Sequence, residues 1–378
     1  MPNKIIGKIR SSVSHNLLNI SGWRTQRKIV VFESDDWGSI RMPSMEVYSE
    51  FRNKGLNLTQ TDYNRLDSLE SNDDLSMLFD VLRSYRDRND RHPVFTANIV
   101  VGNPDFDRIR SSKFIEYYFE PVTETLKNYP GRDSVVTLWN KGNSEGIFHP
   151  QFHGREHVNV NRWMKALREG KPEIMLTFNH RTTFSGYEDY NFMEVLDNNS
   201  PEEIDYLNQS ITEGLNLFES IMGYRSRSFI PPCYTWDSEI EKNLQLNGVR
   251  YIQGLIVQLV PTGSFGNYRR KYHFLGSTNA WNMVFLTRNC FFEPSLSESD
   301  HPVEDCLRRI EIAFRWNKPA VICTHRLNYI GSLDQENRRS NLNSLRFLIE
   351  KILSNWPDVE FMSSDQLGDL ILKSRSAL

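Results

Sequence analysis

The chain has 378 residues, 39% hydrophobic and 25% charged, the proportions of an ordinary soluble globular protein with room for one large domain or two smaller ones. A net charge of −3 argues against a protein that binds nucleic acid by blanketing phosphates. No stretch approaches the roughly 20 apolar residues of a membrane-spanning helix.

Cys233, Cys290, Cys306 and Cys323 are widely spaced and form no CxxC pair, so neither a zinc ribbon nor a disulfide framework is indicated. A reducing compartment suits them. The N-terminus lacks the pattern of a secretory signal, and the expectation is a cytoplasmic protein.

Residues 1–28 carry Lys4, Lys8, Arg10, Arg24, Arg27 and Lys28, with no acid before Glu33. Ile5, Ile6, Ile9, Val13, Leu17 and Ile20 approximate one helical stripe. Two readings stay open: a leader helix docked on the domain, or a membrane-surface helix near anionic lipids. Residues 1–27 are therefore set apart as a leader and 28–375 as a single domain.

Beyond the leader, apolar β-rich runs alternate with helical patterns. The first run is 28–34 (KIVVFES), followed by helical pattern at 44–54 and 72–89. Strands are predicted at 93–101, 135–139 (VVTLW), 173–178 (EIMLTF), 228–232, 251–260, 283–287 and 320–324, with a helix near 110–129. Ser200-Pro201-Glu202-Glu203 opens a helix that ends before Gly223, and another runs from 337 to 354. This alternation predicts an α/β fold with a parallel sheet, and its seven or eight repeats favour a barrel.

Three places carry chemistry. Asp35 and Asp36 follow the first strand in VVFESDDWGS, at the end where parallel barrels place catalytic groups. His149, His153 and His157 crowd one short stretch, and the four-residue spacing of the last two suits capture of a metal from one helical turn. The strand AVICT ends on His325. Two histidines and a carboxylate at one end of the sheet describe a metal site with open positions. For each feature alone, a turn, a loop histidine or a strand-end histidine is the plainer explanation; their convergence makes the case.

At these residues the chain resembles the polysaccharide deacetylases (carbohydrate esterase family four, the NodB-like homology domain). Glu33-Ser34-Asp35-Asp36-Trp37-Gly38 is similar to the family's TFDDG motif with one residue inserted, and His153-Gly154-Arg155-Glu156-His157 is similar to its two-histidine motif. The resemblance implies a distorted (β/α) barrel of about seven parallel strands. It implies Asp35 as general base, Asp36, His153 and His157 as metal ligands, and His325 as general acid. The metal is expected to be zinc, with cobalt, nickel or manganese accepted by the same ligands.

The family's RxPY-like motif is matched in part by Phe229-Ile230-Pro231-Pro232-Cys233-Tyr234. Ile230 stands where the family has the arginine that holds the catalytic aspartate, and Arg41 and Arg326 are the candidates to replace it. Tyr234, Trp236, Pro232 and Trp37 form the expected substrate-binding set. The implied activity is metal-dependent removal of acetyl groups from a sugar, on the cytoplasmic side of surface-polysaccharide synthesis. The alternatives are an O-acetyl esterase or other amide hydrolase on the same barrel, and an inactive glycan-binding relative.

Overall fold

The computed structural model describes residues 15–59, 61–184, 192–297 and 299–376. The strands are β1 (Ile29–Trp37), β2 (Phe95–Val100), β3 (Gly102–Pro104), β4 (Phe119–Pro121), β5 (Phe148–Gly154), β6 (Ser228–Phe229), β7 (Tyr251–Gly254), β8 (Val257–Pro261), β9 (Tyr268–Tyr272), β10 (Val284–Thr287), β11 (Cys290–Phe291), β12 (Ala320–His325) and β13 (Glu360–Phe361). Eight of them form one sheet in the order β10-β7-β6-β5-β2-β1-β12-β11, and β13 pairs with the start of β1. Every pairing in this sheet is parallel. Among the described residues β10 and β11 do not pair with each other, so the sheet is a half-barrel, in keeping with the distorted (β/α) barrel of parallel strands expected from the sequence.

The longer helices are α1 (Met45–Asn53), α2 (Asn72–Arg83), α3 (Val135–Ser144), α4 (Val160–Arg168), α5 (Pro172–Asn179), α6 (Pro201–Met222), α7 (Glu239–Leu246), α8 (Pro302–Arg315), α9 (Gln335–Asn355) and α10 (Ser364–Ser376). Capping explains the clearest boundaries. The Ser200 side chain accepts from the Glu203 amide, Pro201 takes the first turn where no amide partner is needed, and Gly223 ends α6 at φ 76°. Ser71 and Asp74 cap α2 reciprocally.

Strand alternation sorts the side chains of the sheet onto two faces. Val30, Phe32, Phe95, Ala97, Ile99, Phe148 and Phe152 lie in the main core with the helices outside the sheet. The inner face begins apolar, with Ile29, Val31, Tyr251, Val284 and Val321 packed against Leu367 and Ile371 of α10. Towards the strands' C-terminal ends it turns polar. Asn98 donates to Asp35 and Gln253, Gln253 donates to Ser228, and Ser228 donates to Gln151, all buried. Satisfied in this way, the interior tolerates polar groups that would be costly alone, and the site sits at the top of this network.

Several sequence expectations are corrected. VVTLW lies in α3 and EIMLTF in α5, both helices. In α3 the buried Val135 and Trp139 are four apart, and in α5 the buried Ile174, Thr177 and Phe178 follow helical spacing behind a proline at the first position. β-Branched composition was misleading there because tertiary packing outweighs propensity. The run 251–260 is two strands: β7 ends at Gly254, and β8 leaves the sheet to form an antiparallel hairpin with β9. The span 110–129 holds the end of a short helix, strand β4 and brief helical turns instead of one helix.

Residues 1–14 of the basic leader lie outside the described residues. Where it is described, Leu17 and Ile20 are exposed. The chain after them is tied down: Trp316 donates to Asn16, Trp23 donates to Ser374, and Lys318 donates to the carbonyls of Ser21 and Trp23. None of the helices among the described residues is long and apolar enough to cross a membrane.

Candidate active site and metal centre

Asp35 and Asp36 are neighbours, and in a regular strand their side chains would point to opposite faces. The strand is not regular here. The register of β1 on β2 shifts between Ser34 and Trp37, and Asp36 takes φ 77°. This bulge brings both carboxylates into one site. Gly38 completes the turn at φ 80°, where a β-carbon would lie 2.4 Å from the Val100 carbonyl oxygen, and its amide donates to Glu70. The adjacent-acid motif is therefore a backbone device that only a glycine-backed bulge can build.

Asp36 faces two histidines. Its Oδ1 is 3.4 Å from His153 Nε2 and 3.3 Å from His157 Nε2, with all three residues buried. The helical-turn expectation for the histidines is corrected: His153 is on β5 and His157 is in the loop beyond Gly154, which has φ 147°. His153 Nδ1 is 2.9 Å from the Ile230 carbonyl, a bond that requires the proton on Nδ1. The Nε2 lone pair of a neutral His153 then faces a carboxylate oxygen, an arrangement that is repulsive unless a cation lies between them. The donor set of one carboxylate and two imidazoles, mutually within 4.8 Å, fits a divalent metal with positions left open. Burial opposes the charge on Asp36, but the two imidazoles and the Arg41 guanidinium around it hold its carboxyl well below the usual range. Burial likewise holds His157 below its ordinary value, the neutral form a metal ligand needs.

Asp35 is held by a different group. Arg288 donates from Nη1 and Nη2 to its two oxygens, each at 2.7 Å, and from Nε to Glu33 at 2.6 Å. Burial works against ionisation of Asp35, yet Arg288 overrides it and the carboxyl falls to about 2. Arg288 itself is fully buried beside two carboxylates, so its charge is fixed. Sequence reasoning named Arg41 and Arg326 for this role. Arg326 is occupied by Asp67 and Glu70, and Arg41 lies beside Asp36 instead. A legible signal existed: Arg288 directly follows the strand 283–287, on the end of the sheet that carries the other site residues.

His325 lies opposite Asp35 in register on the neighbouring strand β12. Its Nδ1 donates to Glu293 at 2.6 Å, and its Nε2 is 3.6 Å from Asp35 Oδ2. Burial disfavours the imidazolium, but Glu293 and then Asp35 more than compensate and raise it to about 9. Glu293, unremarked in the sequence, also accepts from the Asn328 amide and the His325 backbone.

The expected substrate-binding set is only partly at the surface of this site. Tyr234 is half-buried, with its hydroxyl 3.1 Å from Arg288 Nη1, and it follows Cys233 in a pair of left-handed residues at φ 53° and 56°. Trp37 is fully buried and donates to Ser34; Trp236 is buried, donates to Glu241 and stacks on His273; Pro232 is buried as well. These three present no open face to a ligand and serve packing.

No known family's sequence profile matches this chain, and no curated protein matches it. Among solved structures it is similar to a 4-alpha-glucanotransferase from Thermococcus litoralis, at 10% identity and TM-score 0.46, over 91% of this chain and 40% of that one. It is also similar to a Mycobacterium smegmatis protein assigned to the polysaccharide deacetylases, at 12% identity and TM-score 0.46, over 94% of both chains. A third is a CE4 family pseudoenzyme from Bacillus anthracis, at 10% identity and TM-score 0.39, over 90% of this chain and 65% of that one.

Proposed function

We propose that this protein is a metal-dependent hydrolase that removes N-acetyl groups from a sugar. The observation that carries the reading is the convergence of Asp36, His153 and His157 on one point, with the Asp35–Arg288 pair and His325 at its rim. A divalent cation held by Asp36, His153 and His157 would polarise an acetyl carbonyl and make water a better nucleophile.

The chain's own residues supply the rest. Asp35, kept ionised by Arg288, orients the attacking water and accepts its proton. His325, kept protonated by Glu293, stands within 3.6 Å of Asp35 and donates to the departing nitrogen. An amine leaves poorly unless protonated, so a standing acid favours amide over ester hydrolysis. Two neighbouring groups with proton affinities pushed apart in this way form a ready acid–base pair.

Zinc is the expected metal, and the same ligands take cobalt, nickel or manganese. The proposed substrate class is an acetylated carbohydrate, and the proposed setting is synthesis of a surface polysaccharide on the cytoplasmic side. The basic stretch 1–28 would supply peripheral membrane contact in that setting. An inactive, glycan-binding relative is the weaker reading, because Arg288 holds Asp35 although Ile230 stands where the family has its arginine.

The test is acetate release from N-acetylated and O-acetylated sugars by metal-loaded protein. Release from the N-acetylated set supports the proposal. Release from the O-acetylated set alone makes the protein an esterase, and release from neither defeats the hydrolase reading.

A further inference from the structure

The arginines at the site are well supplied with oxygen acceptors, except the partly buried Arg41. Arg288 spends its donors on Asp35 and Glu33, and Arg326 spends its own on Asp67, Glu70 and the Ser39 carbonyl. Arg41 is 17% exposed and makes no side-chain hydrogen bond to an oxygen among the described residues. Its Nε is 3.4 Å from Asp67 but out of line for a bond, its Nη2 is 3.7 Å from Asp36 Oδ2, and its Nη1 meets the sulfur of Met193. Asp67 is already gripped by Arg326, and Asp36 is already turned to the two histidines.

A guanidinium has five donors in a planar fork suited to carboxylate or phosphate, and leaving them unfilled in a partly desolvated place is costly. Its position makes that cost informative. Arg41 lies over the ring of Tyr63 at 5.6 Å, and the same ring meets His325 in a T-shaped contact at 5.6 Å between centroids. Arg41, Tyr63 and His325 thus line one wall beside Asp36.

We propose that Arg41 receives an anionic group of the substrate, a carboxylate or a phosphate carried on the acetylated sugar, with Tyr63 as the apolar face beneath it. This rests on the deacetylase reading and sharpens it: the substrate is an acidic amino sugar, not a neutral one. Arg41 is then a specificity residue that binds the anion and leaves the acid–base steps to Asp35 and His325.

The experiment is calorimetric titration of the full chain with three probes: N-acetylglucosamine, which is neutral, N-acetylmuramic acid, which adds a carboxylate, and N-acetylglucosamine 6-phosphate. At least one anionic probe is expected to bind about ten-fold or more tightly than the neutral one, the size of a new charge-assisted contact. Which of the two does so tells carboxylate from phosphate. Arg41→Gln should bring the preferred probe down to the neutral level, and Arg41→Lys should keep part of the preference. Equal binding of all three by the wild type, or a preference that persists in Arg41→Gln, overturns the assignment while leaving the deacetylase reading intact. Binding of none of the three, followed by no acetate release from any N-acetylated sugar, defeats both.

Discussion

Arg288, placed between β10 and β11, grips both carboxylate oxygens of Asp35 on β1, each contact being 2.7 Å. The same guanidinium reaches Glu33 at 2.6 Å, so two acids from one face of β1 share one cation. Replacing it therefore does two things. Arg288→Met leaves Asp35 and Glu33 buried without their partner, and breaking such a pair typically costs about 3–5 kcal/mol of stability. Denaturant unfolding measures that loss. In whatever remains folded, the Asp35 carboxyl rises from about 2, so the acid limb of the pH–rate profile moves to higher pH. An unmoved acid limb would separate Arg288 from the base.

His325 titrates in the opposite direction. Its folded value of about 9 lies above its ordinary value, so turnover that needs the imidazolium is full at neutral pH and falls as pH rises through about 9. The linked stability has the same sign: it is complete below the ordinary histidine range and lost as pH climbs through about 9. Glu293→Gln removes the largest favourable cause, so the alkaline limb should shift to lower pH. His325→Ala should keep its metal and lose turnover by roughly 10²–10⁴-fold.

Metal content tests the centre directly. About one divalent ion per wild-type chain is expected by mass spectrometry, given the one carboxylate and two imidazoles of Asp36, His153 and His157. Asp36→Ala, His153→Ala and His157→Ala should each lose the ion and the activity together. Full occupancy in all three variants would remove these residues from the site.

Gly38 tests the backbone device beneath the two aspartates. Gly38→Ala places a β-carbon 2.4 Å from the Val100 oxygen at φ 80°. Unfolding should show a loss of more than about 1 kcal/mol, since both the conformation and the space are denied to alanine. The metal affinity of the folded fraction should fall as well, because the turn sets the direction of Asp36.

Much of this molecule was legible in its residues because the signals are local. Strand–helix alternation announced a parallel α/β sheet; Ser200, Pro201 and Gly223 marked both ends of α6; Asp35, Asp36 and His325 stood out at strand ends, and His153 and His157 as a pair four apart, though on a strand and its following loop instead of the expected helical turn. What local pattern did not decide was whether VVTLW and EIMLTF would be strands, because burial spacing in the finished core chose helices for both. Nor did it decide which arginine would hold Asp35. Arg288 is 253 positions away in the chain, and the pairing exists only because parallel strands bring their C-terminal ends to one place. A sequence records which groups are present and how their neighbours turn; charge pairing across a sheet depends on distances that only the assembled strands create.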